Sequence, residues 1–212
     1  MPKRKFKMSP EKYNLTLPEA ILRAGYDKPT EIQLQIHSIV NSGTDLYAVA
    51  PEGSGKSIAI VMTVIRKLKM AFEKAPRAII LVADKERAIA MEKLFCRFTE
   101  DGDLRSDCIH DSKDIQDQID ELYEGTDVVI ATPKRLHSIF LQNGVNINKL
   151  QMFIMDDAST IIKNGHKVVI HRLAESLPRC QKLVFTDELT SRLVEATESL
   201  MPFAKVVEIE EN

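Results

Sequence analysis

Short β-branched and apolar runs recur along the chain, at Leu46–Ala50, Ala78–Val82, Asp127–Ala131, Gln151–Met155 and Lys182–Phe185. Each is followed by a longer stretch whose apolar positions repeat at helical spacing. Strands that alternate with helices predict an α/β fold, a parallel sheet with helices on both faces. Ligands of such sheets bind beyond the carboxyl ends of the strands, so chemistry is expected in the residues just after each run. The stretch from Thr99 to Asp114, rich in Asp, Ser and Gly, reads as the most loop-like part, with one weak strand near Cys108 and Ile109. There is no internal repeat and no low-complexity linker.

Composition narrows the class. With 212 residues, 44% of them hydrophobic and 28% charged, the chain can bury one sizeable core without staples. A formal charge of −2 gives no global basic field, so nucleic-acid binding would rest on a local patch. The three cysteines, Cys96, Cys108 and Cys180, are widely spaced and fit neither a disulfide framework nor zinc-ligand spacing, which points to a reducing, cytoplasmic setting. Residues 1–12 read as a basic flexible arm carrying Lys3, Arg4, Lys5 and Lys7, and residues 13–212 as one domain. No window approaches the ~18 uninterrupted apolar residues of a membrane span.

The first run leads into Ala50-Pro51-Glu52-Gly53-Ser54-Gly55-Lys56-Ser57 and then into the apolar helical segment Ile58 to Met70. That is a phosphate-binding loop in its required strand-to-helix setting. Gly53 and Gly55 permit the tight turn, and Ser54 and the neighbouring amides converge on phosphate at a helix N-terminus. Lys56 reaches the outer phosphates, and Ser57 is a Mg²⁺ ligand. The apolar strand Met152 to Met155 ends in Asp156-Asp157-Ala158-Ser159. Asp156 is the expected second Mg²⁺ residue and Asp157 the carboxylate that orients the attacking water. Capping by Asp or Ser at a strand-to-helix turn is the simpler alternative.

Beyond this loop the chain, from about Tyr13 to its end, resembles the N-terminal RecA-like domain of DEAD-box RNA helicases. Gly25-Tyr26-Asp27-Lys28-Pro29-Thr30-Glu31-Ile32-Gln33 looks like the family's Q motif. The resemblance implies that Gln33 reads the adenine edge, that Tyr26 packs on the base and that the nucleotide is ATP. A glutamine amide offers the donor and acceptor that adenine presents. Thr30 and Gln33 also fit a capping box for a helix to Val40. The family's upstream Phe is not at its usual spacing; Met8 stands there, with Phe6 nearby. Asp127 to Leu136 is similar to motif Ib, which implies that Thr132 and a helix N-terminus hold an RNA phosphate with Arg135 in support. Lys134 replaces the family's glycine there. Thr132-Pro133 equally reads as an N-cap followed by proline at the first helical position.

The departures from the family bear on activity. The family's catalytic glutamate is Asp157 here, and a misplacement of ~1 Å in a positioning group costs on the order of a hundredfold in rate, so hydrolysis is expected to be slow. Ser159 replaces the last aspartate of that motif, and Thr186-Asp187-Glu188 replaces the Ser-Ala-Thr motif that links ATP to RNA binding. Asp84 stands where motif Ia has a phosphate-contacting threonine, a repulsive exchange for RNA, although Asp84 also suits a helix N-cap. Asp111-Ser112 replaces a glycine pair, while Gln118 and Gly125 remain. The segment Val206 to Asn212 reads as the approach to the linker of a second RecA-like domain, which in the family supplies the arginine finger. Loss of such a finger costs ~10³ to 10⁵ in turnover. The chain alone is therefore expected to bind Mg-ATP, to hydrolyse it weakly, to contact single-stranded RNA weakly and not to unwind duplexes. The alternative is a stand-alone module that uses the nucleotide as a switch or structural ligand for docking on RNA or a partner protein. His37, His110, His137, His166 and His171 show no metal pairing, and the eight methionines and eight phenylalanines read as core.

Overall fold

A computed structural model of the chain describes residues 22, 25–100 and 102–210. The basic arm, Phe6, Met8 and Tyr13 lie outside the described residues.

In chain order the elements are α1 (Glu31–Asn41), β1 (Leu46–Val49), α2 (Lys56–Leu68), β2 (Ala78–Leu81), α3 (Lys85–Thr99), β3 (Ser106–Ile109), α4 (Ile115–Gly125) and β4 (Val128–Ala131). There follow α5 (Pro133–Leu141), β5 (Met152–Met155), α6 (Ala158–Lys163), α7 (Lys167–Ser176), β6 (Gln181–Thr186), α8 (Ser191–Thr197) and β7 (Lys205–Glu208). The strands form one seven-stranded sheet in the order β3-β4-β2-β5-β6-β1-β7, and every pairing is parallel.

Alternation along the strands separates the two core layers. Leu46, Ala48, Ile80, Ile154, Leu183 and Phe185 face the side covered by α1, α2 and α3, where Ile36, Val64 and Phe95 are buried. Tyr47, Ile79, Val129, Phe153, Met155 and Val184 face the other side, covered by α4 to α8. Burial on both faces explains why the strands read as continuous apolar runs rather than as alternating ones.

The five strong runs and the weak strand near Cys108 all appear as strands. The helix after the phosphate loop runs Lys56–Leu68 rather than to Met70, because Lys69 turns left-handed at φ 64°. Lys205–Glu208 form β7, an edge strand registered on β1 with Val206 opposite Tyr47, and the segment Val206 to Asn212 read as the approach to a linker begins within it. Only Val207 of this strand is buried, so its pattern lacks the apolar run that marked the others.

Asp127 precedes β4 and is fully buried. Its Oδ1 accepts from Arg77 Nη2 at 2.6 Å and its Oδ2 from Arg105 Nε at 2.8 Å. The amides of Phe72 and Arg105 each donate to it at 3.1 Å. Burial alone would raise its pKa, but the hydrogen bonds from Arg105 and Arg77 outweigh that and hold the carboxyl below its usual range.

Candidate functional site

The order of the sheet determines which strand ends meet. β6 lies between β1 and β5, and β2 lies on the far side of β5. The loops that leave β1, β5, β6 and β2 are therefore neighbours at one edge of the sheet.

The loop after β1 makes its turn through two left-handed residues, Gly53 at φ 79° and Gly55 at φ 93°. A Cβ on Gly55 would come within 2.6 Å of Gln33 Nε2 and 2.9 Å of Thr30 Oγ1, so the loop is closed against the start of α1. α2 begins directly at Lys56, leaving its first amides without helical carbonyls to bond. Lys56 Nζ folds back and donates to the carbonyls of Ala50 and Pro51 at 2.5 and 2.8 Å. Its burial lowers its pKa, opposed by the nearby carboxylates, Asp156 foremost. Ser54 Oγ is buried without a hydrogen-bond partner among the described residues, a polar atom that a phosphate oxygen would satisfy.

Ser57 Oγ donates to Asp156 Oδ2 at 3.1 Å and so joins the ends of β1 and β5. Burial pushes the Asp156 carboxyl above its usual range, with the Ser57 hydrogen bond opposing. From β6, Asp187 reaches the same place, and Ser159 Oγ donates to its Oδ1 at 2.6 Å. That hydrogen bond holds Asp187 below the usual carboxylate range. Ser57, Asp156 and Asp187 line a cleft of about 370 Å³ in which, among the described residues, four carboxylates, Glu52, Asp156, Asp157 and Asp187, stand against two cations, Lys56 and Arg87. A hydroxyl and a carboxylate already in contact, next to a loop of phosphate-binding form, are a donor set that fits Mg²⁺ with a nucleotide. The ion takes hard oxygen ligands and is commonly held by one or two carboxylates plus phosphate.

Asp157 occupies the left-handed region, φ 54° and ψ 52°, which aspartate tolerates better than most residues. Both carboxyl oxygens are engaged. Thr160 Oγ1 donates to Oδ1 at 2.9 Å, and Arg87 from α3 forms an ion pair with Oδ2. Arg87 Nε also lies 3.5 Å from Asp84 Oδ2, while Asp84 Oδ1 accepts the Arg87 amide at 2.8 Å as the N-cap of α3. Sequence reading missed Arg87 and Thr160 as site residues. Thr160 carried a signal, three residues after Asp157 on a helix, but Arg87 reaches the site only because β2 pairs with β5.

Gln33 and Tyr26 do not line the phosphate cleft. Gln33 is buried against the loop; its Oε1 accepts the Thr30 amide at 3.0 Å in the capping box, and its Nε2 donates to Gly55 O at 3.2 Å. One N–H and one lone pair of its amide are left over, the combination an adenine edge requires. Tyr26 packs against Met62, and the guanidinium of Arg97 lies 5.7 Å from its ring centroid. A larger cavity of about 420 Å³ lies between α1 and α2, bordered by Gln33, His37 and Arg66, and holds none of the loop glycines or carboxylates.

At the end of β4, Thr132 is the N-cap of α5 with Pro133 at its first position. Thr132 Oγ1 is buried with no hydrogen-bond partner among the described residues. Lys134 is exposed. Arg135 turns away from solvent, donating to the carbonyls of Asp111 and Lys113 at 3.0 and 3.1 Å. These three residues are not part of the phosphate cleft.

Among curated proteins, the chain is 32% identical over 160 residues to "Probable ATP-dependent RNA helicase DDX43" of Homo sapiens, covering 73% of this chain and 24% of that protein. It is 32% identical over 177 residues to "ATP-dependent RNA helicase DBP10" of Eremothecium gossypii, covering 82% of this chain and 18% of that protein. The chain thus spans about a fifth to a quarter of the length of these relatives. Among solved structures, a DEAD box protein from the hyperthermophile Methanococcus jannaschii superposes with a TM-score of 0.84 at 22% identity, over 93% of this chain and 55% of that one. This match establishes the RecA-like fold. A family model described as DEAD/DEAH box helicase matches residues 30–191, which with the relatives makes this chain a member of the DEAD/DEAH box helicase family.

Proposed function

We propose that this chain is a Mg-ATP-binding RecA-like domain that hydrolyses ATP slowly on its own and contacts RNA through the backbone, acting with a second RecA-like domain in cis or in trans. The observation that carries this reading is the Ser57 to Asp156 contact at 3.1 Å beside Lys56 and the Gly53–Gly55 turn. Ser57 and Asp156 would hold the ion, which would neutralise phosphate charge. Lys56 leaves the Ala50 and Pro51 carbonyls for the phosphates. Gln33, and Tyr26 against the base, provide the preference for adenine. Asp157 orients the attacking water. RNA backbone contact is assigned to the N-terminus of α5, with Thr132 and Lys134 nearest and Arg135 bracing the loop at Asp111.

The module reading, in which nucleotide is held but not turned over, draws support from the engagement of both Asp157 oxygens by Thr160 and Arg87. Steady-state ATP turnover with and without single-stranded RNA, for the native chain and for Lys56→Ala, separates the two. Slow turnover that is lost in Lys56→Ala supports the enzyme reading. Tight nucleotide binding with no turnover in either condition supports the module.

A further inference from the structure

Arg87 is a cation that the phosphate-loop reading leaves unexplained. It stands at the third position of α3, half-exposed at its side chain, on the rim of the cleft that Lys56, Ser57 and Asp156 also line. Among the described residues lining that cleft, it is the one cation besides Lys56. Its guanidinium is pinned from two sides, by Asp157 and by Asp84, whose backbone contact fixes the helix start beneath it. The Asp84 contact holds the side chain at the rim, while the Asp157 ion pair competes with a phosphate for the guanidinium.

We propose that Arg87 is this chain's own terminal-phosphate residue, reading the outermost phosphate of a bound nucleoside triphosphate from within the same domain. The proposal rests on the nucleotide reading above. A guanidinium carries five N–H donors in a planar fork, and its contacts through Nη1 to Asp157 and through Nε toward Asp84 leave donors over. Phosphate oxygens match that fork, and a charge-assisted bond to phosphate is among the stronger hydrogen bonds a protein makes. The charge balance of the cleft points the same way. Four carboxylates facing two cations would repel a triphosphate, and beside Lys56, which the nucleotide reading already assigns to the phosphates, Arg87 is the remaining positive group among the described lining residues, on the rim next to Asp157. A diphosphate, which ends one phosphate short, would leave Arg87 on Asp157. Arg87 thereby discriminates triphosphate from diphosphate.

The test is calorimetric binding of Mg-ADP and of Mg-AMP-PNP, a non-hydrolysable triphosphate, to the native chain, Arg87→Leu, Arg87→Lys and Asp157→Ala. Arg87→Leu is expected to weaken Mg-AMP-PNP about tenfold or more while Mg-ADP stays within about twofold, with Arg87→Lys between the two. Asp157→Ala, which breaks the same ion pair but keeps the guanidinium, is expected to retain or increase the preference for triphosphate. Equal weakening of both nucleotides by Arg87→Leu, or loss of the preference in Asp157→Ala as well, would overturn the role of Arg87 while leaving the nucleotide site intact. Failure of the native chain to bind either nucleotide would overturn the nucleotide reading and this proposal with it.

Discussion

Ser159 Oγ donates to Asp187 Oδ1 at 2.6 Å, and this single contact ties the first turn of α6 to the carboxyl end of β6. Ser159 stands where the resembled motif ends in an aspartate, and Asp187 is the middle residue of the Thr186-Asp187-Glu188 segment that replaces Ser-Ala-Thr, so the contact joins two positions at which this chain departs from those motifs. Because Asp187 is exposed, Asp187→Ala should lower stability by only about 0.5–1 kcal/mol in urea titration at pH 7. The Ser159 hydrogen bond holds the Asp187 carboxyl low, so its contribution is present above the unfolded carboxylate value of about 3.9 and is lost as pH falls through the folded value. The difference between native and Asp187→Ala should vanish in acid, and Ser159→Ala combined with Asp187→Ala should cost little more than either alone.

A second prediction concerns the framework beneath the site. Asp127 is fully buried between Arg77 and Arg105. Removing one member of such a pair strands the other charge, so Asp127→Ala should destabilise by about 3–5 kcal/mol in chemical denaturation. The depressed carboxyl also gives a sign for pH. Stability supplied by Asp127 is complete above the unfolded carboxylate range and is lost as pH falls through the folded value, so the native chain should weaken in acid more than Asp127→Asn does.

The burial of Asp156 sets function against stability. Its carboxylate has the Ser57 hydroxyl as hydrogen-bond donor and pays a desolvation cost for its charge. Asp156→Asn should therefore raise the melting temperature of the ligand-free chain by a few degrees, equivalent to about 1 kcal/mol, and should remove the extra stabilisation that Mg²⁺ brings with nucleotide. A variant that melts lower without ligand and still responds to Mg²⁺ would count against this assignment.

Gly55 is constrained twice, by φ 93° and by the 2.6 Å approach of Gln33 Nε2 to the place a Cβ would occupy. Gly55→Ala should cost about 1 kcal/mol or more in stability and displace Gln33. Its functional mark should be loss of the preference for ATP over GTP along with weakened binding, measured by competition calorimetry.

Much of this architecture was legible in the sequence because parallel strands buried on both faces leave unbroken apolar runs, as in Val128–Ala131 and Met152–Met155. The turn through Gly53 and Gly55 and the place of Asp156 just past the end of β5 were legible because they depend on local spacing. β7 was not, since an edge strand with only Val207 buried carries no such run. Arg87 was not, because its contact with Asp157 spans 70 positions and follows from the β2 to β5 pairing. Thr132 and Arg135 were singled out by resemblance to a motif, yet the burial of the Thr132 hydroxyl and the anchoring of Arg135 at Asp111 and Lys113 are tertiary facts that no spacing encodes.

The most direct test of the central claim is calorimetric titration of the native chain with Mg-ATP and Mg-GTP beside Lys56→Ala. An adenine-selective phosphate-loop site predicts saturable binding of Mg-ATP, markedly weaker binding of Mg-GTP and loss of both in Lys56→Ala. No binding by the native chain, or binding that Lys56→Ala leaves unchanged, would contradict it.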